Sequence, residues 1–69
     1  MTNDFLYVGY FVNDKGEYLA YGHLKNDYGF AYKVTIISTD KKTCDSLVVG
    51  EVYEVKAIGF NGSTAKFGF

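Results

Sequence analysis

The sequence contains one cysteine, Cys44, and one histidine, His23, in 69 residues. A single cysteine excludes an intramolecular disulfide, and a structural zinc site needs paired Cys or His ligands that this chain does not have. We therefore expect no metal and no cofactor. A Cys–His nucleophile pair would have to join these two residues, which lie on separate predicted elements. The sequence consequently predicts no catalytic residues and a non-enzymatic protein.

Arginine, proline and tryptophan are absent. Without arginine, the chain lacks the planar side chain that binds phosphate and guanine through two hydrogen bonds, because lysine supplies only a point charge. The formal net charge is −1. This charge argues against the strong positive field that drives most nucleic-acid binding.

Long apolar runs are missing as well. The N-terminal stretch MTNDFLYVGY has neither the basic segment nor the small-residue cleavage site of a signal peptide. The longest apolar run is far shorter than the ~20 residues that a membrane-spanning helix needs. We expect a cytoplasmic protein that does not enter a membrane, and a single thiol agrees with a reducing compartment.

Aromatic and β-branched residues dominate what is present. Hydrophobic residues make up 48% of the chain and aromatic residues 19%, which favours one small domain with a dense core. Five such segments without helical periodicity predict strands over residues 5–12, 18–25, 30–39, 51–60 and 63–69. The polar residues 40–46 predict a loop or one helical turn capped by Thr39 or Asp40.

Five short strands at a spacing of about 10–12 residues predict a single all-β domain over residues 1–69, a small five-stranded barrel. Three strands, an irregular link and a final hairpin follow the order of an OB-type barrel, with an SH3-like barrel as the alternative. The segment VVGEVYEV resembles the glycine-led strand start of OB-like and SH3-like barrels. Gly9 and Gly22 lie within strands, where glycine permits the bends of a tight barrel. The pair Asn61-Gly62 predicts a hairpin turn.

Alternation along each strand predicts which side chains point inward. In the second strand we expect Ala20 and Gly22 inside and Tyr21 and His23 outside. In the third strand we expect the inward set to be Phe30, Tyr32, Val34 and Ile36. Because a shift of one residue reverses the two faces of a strand, these assignments depend on correct register.

An outer surface rich in tyrosine and lysine is the first candidate binding site. Its members are Tyr21, His23, Lys25, Tyr28 and Lys33. In OB folds, the outer face of strands two and three binds oligonucleotides and oligosaccharides. Aromatic rings can stack on bases while lysines hold phosphates, although exposed tyrosines are also common as ordinary strand residues.

The first strand carries a second candidate surface, because it is apolar on both faces and a small barrel can bury only one. We predict an interaction surface at Phe5, Tyr7 and Phe11 that the C-terminus, a loop or another chain would cover. The alternation alone does not decide whether this face or the one with Leu6, Val8, Tyr10 and Val12 is buried. Our first functional hypothesis is therefore a protein-binding regulator, adaptor or inhibitor, such as an accessory protein of a phage or mobile element. Its partner could also be a second copy of the chain, giving a homodimer. The alternative hypothesis is an OB-like protein that binds single-stranded DNA or RNA.

Overall fold

The computed structural model describes residues 2–62 and 64–69, and this part of the chain is nearly all β-structure. The elements are β1 (Thr2–Val12), β2 (Tyr18–Asn26), β3 (Gly29–Phe30), β4 (Thr35–Thr39), α1 (Lys41–Ser46), β5 (Val52–Asn61) and β6 (Thr64–Gly68). The prediction of an all-β domain is confirmed. Within the described ranges, no helix is long and apolar enough to cross a membrane.

The strands form one curled sheet, an open half-barrel. β1 pairs antiparallel with both β2 and β5, while β2 also pairs with β4 and β5 with β6. The sheet is open between β4 and β6, which face each other across a cleft of about 370 Å³. β1 pairs with β2 and with β5, which is the fourth of the longer strands, and α1 precedes β5 in the chain. This connectivity is OB-like. The predicted barrel-like fold is confirmed.

The predicted third strand is interrupted. β3 pairs with the end of β2, the chain then leaves the sheet over residues 31–34, and β4 returns beside the middle of β2. The backbone N–H of Ala31 donates a hydrogen bond of 2.7 Å to the Leu24 carbonyl and holds this detour against β2. Alternation does not continue through the unpaired residues, so Ile37, paired with Ala20, points inward. The predicted inward set of this strand is wrong, because its members Phe30, Tyr32, Val34 and Ile36 are all exposed.

A bulge in β1 explains why this strand is apolar on both faces. The β1–β2 register shifts between Tyr7 and Gly9, which leaves Val8 as an extra residue. Before the bulge, Phe5 and Tyr7 point into the core and are 0% and 2% exposed. After it, Phe11 points outward. The predicted interaction surface at Phe5, Tyr7 and Phe11 is therefore wrong for its first two members, which are core residues.

The core is small and lies on the concave side of the sheet. Its buried members are Phe5, Tyr7, Ala20, Ile37 and Val55. Gly22 is buried beside them, so the predicted inward face of β2 is confirmed. A Cβ atom on Gly22 would overlap the Leu6 carbonyl oxygen and lie 2.8 Å from Cζ of Phe5. β1 and β2 can approach each other this closely only because residue 22 has no side chain.

The short helix and the turns largely follow the predictions. Asp40 caps α1, because its carboxylate accepts a 2.7 Å hydrogen bond from the Thr43 backbone N–H, and this bond lowers the pKa of Asp40. The last hairpin differs by one residue from the predicted Asn61-Gly62 turn. Asn61 pairs with Thr64, so the turn begins at Gly62, which has a φ of +68°. Ser63 lies outside the described residues.

Candidate functional site

A concave surface lies where the outer face of β2 meets the segment that connects β2 to β4. We call it the aromatic groove and define it by His23, Phe30, Ala31, Tyr32 and Val34. Its volume is about 510 Å³, and it is wide open to solvent. A shallow open groove of this kind suits an extended ligand better than a small molecule, since small-molecule pockets enclose most of the ligand surface.

The β2–β3 hairpin and the detour that follows it each display one tyrosine. The Asn26 side-chain oxygen accepts a 2.8 Å hydrogen bond from the Tyr28 backbone N–H, and Gly29 has a φ of +114°. This turn carries Tyr28 at its tip, and the detour after β3 carries Tyr32. Both residues are 99% exposed. Their rings are therefore available for stacking without any rearrangement of the fold.

His23 joins β2 to the far end of the detour. Its Nδ1 lies 3.4 Å from the backbone carbonyl oxygen of Lys33. Because a carbonyl oxygen can only accept, this contact is a hydrogen bond when Nδ1 carries the proton. The other ring nitrogen, Nε2, then remains for a ligand in the groove, as an acceptor in the neutral ring and a donor in the imidazolium.

Tyr21 belongs to the same outer row of β2 but is held against β1. A Cβ on Gly9 would lie 2.8 Å from the Tyr21 hydroxyl oxygen and 3.0 Å from its Cζ. The Tyr21 ring therefore lies over β1 at Gly9, where there is no side chain in its way. The Phe11 ring lies next to it, with centroids 6.1 Å apart and planes tilted by 45°. Tyr21 is half-buried as a result. We call Phe11 and Tyr21 the aromatic pair.

The predicted binding residues meet in part. Tyr21, His23 and Lys25 share the outer row of β2, and the His23–Lys33 contact brings Lys33 to the groove. Tyr28 sits on the adjoining turn and is exposed. Of the five predicted residues, His23 lines the groove itself, whereas the Tyr21 ring packs on β1 and Lys33 lines the cleft between β4 and β6. Whether these residues bind a ligand stays a prediction.

Sequence reasoning missed Phe30 and Tyr32 as surface residues, because strand alternation was extended through residues 30–34. One signal could have indicated the break. The residues FAYK at 30–33 include no β-branched side chain, whereas the VTII that follows at 34–37 is entirely β-branched. β-branched residues favour strands, so the regular strand begins only with the second segment.

Carboxylates are unevenly distributed over the strands of the outer surface. The outward positions of β2 and of β4 paired with it carry no carboxylate. Lys25 pairs with the groove residue Phe30, and the Lys33 carbonyl contacts His23. On the β1–β5 part, Asp4 lies directly opposite Glu54, and both are exposed. An anionic ligand is therefore better accommodated along β2 than along β5, even though the net charge is −1.

Cys44 is the buried residue of α1 and does not line the groove. Burial raises the pKa of its thiol, and the nearby carboxylates of Asp40 and Asp45 raise it further. A thiol with a raised pKa is a poor nucleophile at neutral pH. Among residues 2–62 and 64–69, no three His, Cys, Asp or Glu side chains gather closely enough to hold a metal ion.

Comparison with known proteins found no matching family model, no similar curated protein and no similar solved structure. The arguments for function consequently rest on the geometry of the groove and of the aromatic pair.

Proposed function

We propose that this protein is a small non-enzymatic binding module whose ligand is single-stranded DNA or RNA. The observation that carries the proposal is the pair of fully exposed tyrosine rings, Tyr32 in the lining of the aromatic groove and Tyr28 on the turn that precedes it. Proteins that bind single strands combine aromatic rings, on which bases stack, with positive side chains that follow the phosphates. The groove also lies on the strands that bind oligonucleotides in OB folds.

The proposed roles follow from the chemistry of each side chain. Tyr32 and Tyr28 stack on bases, which is sequence-tolerant because every base has a π-face. Lys25 and Lys33 contact phosphates. Two such contacts predict a logarithmic salt dependence of affinity with a slope of about −1.4, since each contact with a single strand contributes about −0.7. This shallow slope fits a chain without arginine, in which stacking supplies most of the affinity.

The test compares Tyr32→Ala with wild type in binding a fluorescent oligothymidylate. Loss of one stacking ring should weaken binding by about 5- to 150-fold, the equivalent of 1–3 kcal/mol. Tyr32→Phe keeps the ring and should bind almost as wild type. Tyr32 is fully exposed, so neither variant should lower the melting temperature. Wild-type affinity in the alanine variant would contradict the proposal.

A second control addresses the position of the ring on the molecule. Tyr10 is also exposed, but it pairs with Ala20 in the inward register and stacks on Tyr18, with ring centroids 6.0 Å apart. Tyr10→Ala removes an aromatic ring without touching the groove. If it weakened binding as much as Tyr32→Ala, the ligand would lie elsewhere.

A second candidate function is protein binding, as the first sequence hypothesis expected, with a second copy of the chain as the partner to test. It is favoured by the open cleft between β4 and β6, where Val34 and Ile36 are about half exposed. Unpaired strand edges of this kind invite pairing with another chain. Sedimentation equilibrium should then show a dimer that Ile36→Lys abolishes, and a monomer at every concentration would remove the homodimer. A cytoplasmic location and a phage or mobile-element role stay predictions.

A further inference from the structure

The aromatic pair, Phe11 and Tyr21, lies on the same outer face of the sheet as the aromatic groove. If the side chains of β1 alternated without interruption, Phe11 would instead point into the core with Phe5. The bulge at Val8 reverses the side-chain direction between Tyr7 and Phe11. Gly9 then lets the Tyr21 ring rest on β1. One side of that ring is covered by the strand, while Phe11 beside it is 41% exposed. Two different backbone features thus produce one exposed aromatic cluster.

We infer that this aromatic pair is a second stacking position, and that a single strand of nucleic acid runs from it along the outer row of β2 to the aromatic groove. The inference rests on the proposed function and adds the direction and length of the site.

The spacing along β2 suits such a path. Tyr21 and Lys25 are four residues apart, which corresponds to about 13 Å along a strand. A stacked nucleic-acid strand advances about 3.4 Å per nucleotide, so this distance holds about four stacked nucleotides and fewer extended ones. The result lies at the lower end of the roughly 4–16 nucleotides that one OB fold covers.

The charges along the path favour an anionic ligand over a neutral or a cationic one. The outward residues of β2 are Leu19, Tyr21, His23 and Lys25, and those of β4 opposite them are Ile36 and Ser38. None of them is a carboxylate. The exposed carboxylate of Asp4 faces outward from β1 opposite Glu54 of β5, and the register that pairs Phe5 with Leu24 places Asp4 beside Lys25 at the end of the path. A phosphate chain that follows β2 therefore meets no carboxylate on β2 or β4, and it meets Asp4 of β1 only at the Lys25 end.

The test measures the affinity of wild type and Phe11→Ala for oligothymidylates of increasing length. A trimer needs only the groove, so both proteins should bind it equally. Oligomers of about six nucleotides or more reach the aromatic pair, and Phe11→Ala should bind them at least about fivefold more weakly than wild type. Equal affinities of the two proteins at every length would overturn the inference while leaving the proposed function intact. Tyr10→Ala, one residue away on the other face, is the matched control.

A crosslinking experiment on the wild-type protein guards against a folding defect in the variant. An oligonucleotide that carries 5-iodouracil at each position is irradiated in the complex, because this base crosslinks to aromatic rings on which it stacks. We expect crosslinks in the Phe11 or Tyr21 peptide as well as in the Tyr28–Tyr32 peptide. Crosslinks confined to the second peptide would overturn the inference. If wild type binds no oligomer of any length, both the inference and the proposed function are wrong.

Discussion

Replacing Gly22 by alanine should destabilise the fold more than any other glycine-to-alanine change in the sheet. Gly22 lies in the middle of β2, paired with Tyr7 on one side and Thr35 on the other. The added Cβ would overlap the carbonyl oxygen of Leu6, a backbone atom of β1, and would lie 2.8 Å from Cζ of Phe5. Neither neighbour can move freely, because the first is fixed by the ladder and Phe5 is completely buried.

The size of the effect follows from these fixed neighbours. Extra atoms in a packed core cost about 1–3 kcal/mol, and we expect the upper end here, because backbone has to move. A domain of 69 residues has a total stability of only about 3–10 kcal/mol. A loss of about 3 kcal/mol should therefore lower the melting temperature by about 12–24 °C.

Gly68→Ala is the matched control, since the nearest atom to its added Cβ is Cδ1 of Ile58 at 3.3 Å, the end of a flexible side chain. Neither glycine has a positive φ, so backbone strain is equal in the two variants. Urea unfolding followed by far-UV circular dichroism measures both. If Gly22→Ala falls within about 0.5 kcal/mol of Gly68→Ala, the close approach of β1 and β2 is wrong.

Two further substitutions test the register of the sheet. Ile37→Ala should lower the free energy of unfolding in urea by about 2–5 kcal/mol, because Ile37 is buried. Ile36→Ala should leave it nearly unchanged, because Ile36 is exposed. The opposite order would support the alternation first expected for residues 30–39. Glu54→Lys should raise stability by about 0.5–1 kcal/mol at low salt, because it replaces a like-charge pair with Asp4 by an opposite-charge pair. Glu51→Lys makes the same change of net charge away from Asp4, and an equal gain there would refute the β1–β5 pairing.

The order of the strands was largely readable from the sequence. Aromatic and β-branched runs marked the long strands, and glycines that adopt positive φ, such as Gly16 and Gly62, marked the turns between them. These signals are local, so each can be recognised without knowledge of the partner strand. The capped helical turn at Asp40 was readable for the same reason.

The direction of the side chains was not readable wherever the ladder is irregular. The bulge at Val8 and the detour over residues 31–34 each change the phase of alternation, and pairing with a neighbouring strand decides where this happens. The error at Tyr32 and the grouping of Phe11 with Phe5 and Tyr7 both follow from assuming one unbroken phase. Phe5 itself was misplaced because β1 offered two apolar faces and alternation could not decide between them. Tyr28 was placed correctly on the surface because it sits in a turn, where exposure does not depend on phase.

The most direct test of the central claim is a titration of the wild-type protein against fluorescein-labelled oligothymidylate and oligouridylate of about 12 nucleotides, followed by anisotropy from low salt to about 0.2 M. We predict micromolar binding that weakens with salt, with a logarithmic slope of about −1.4. Absence of any anisotropy change at low salt and ~100 µM protein would contradict the assignment of the groove and the aromatic pair to single-stranded nucleic acid.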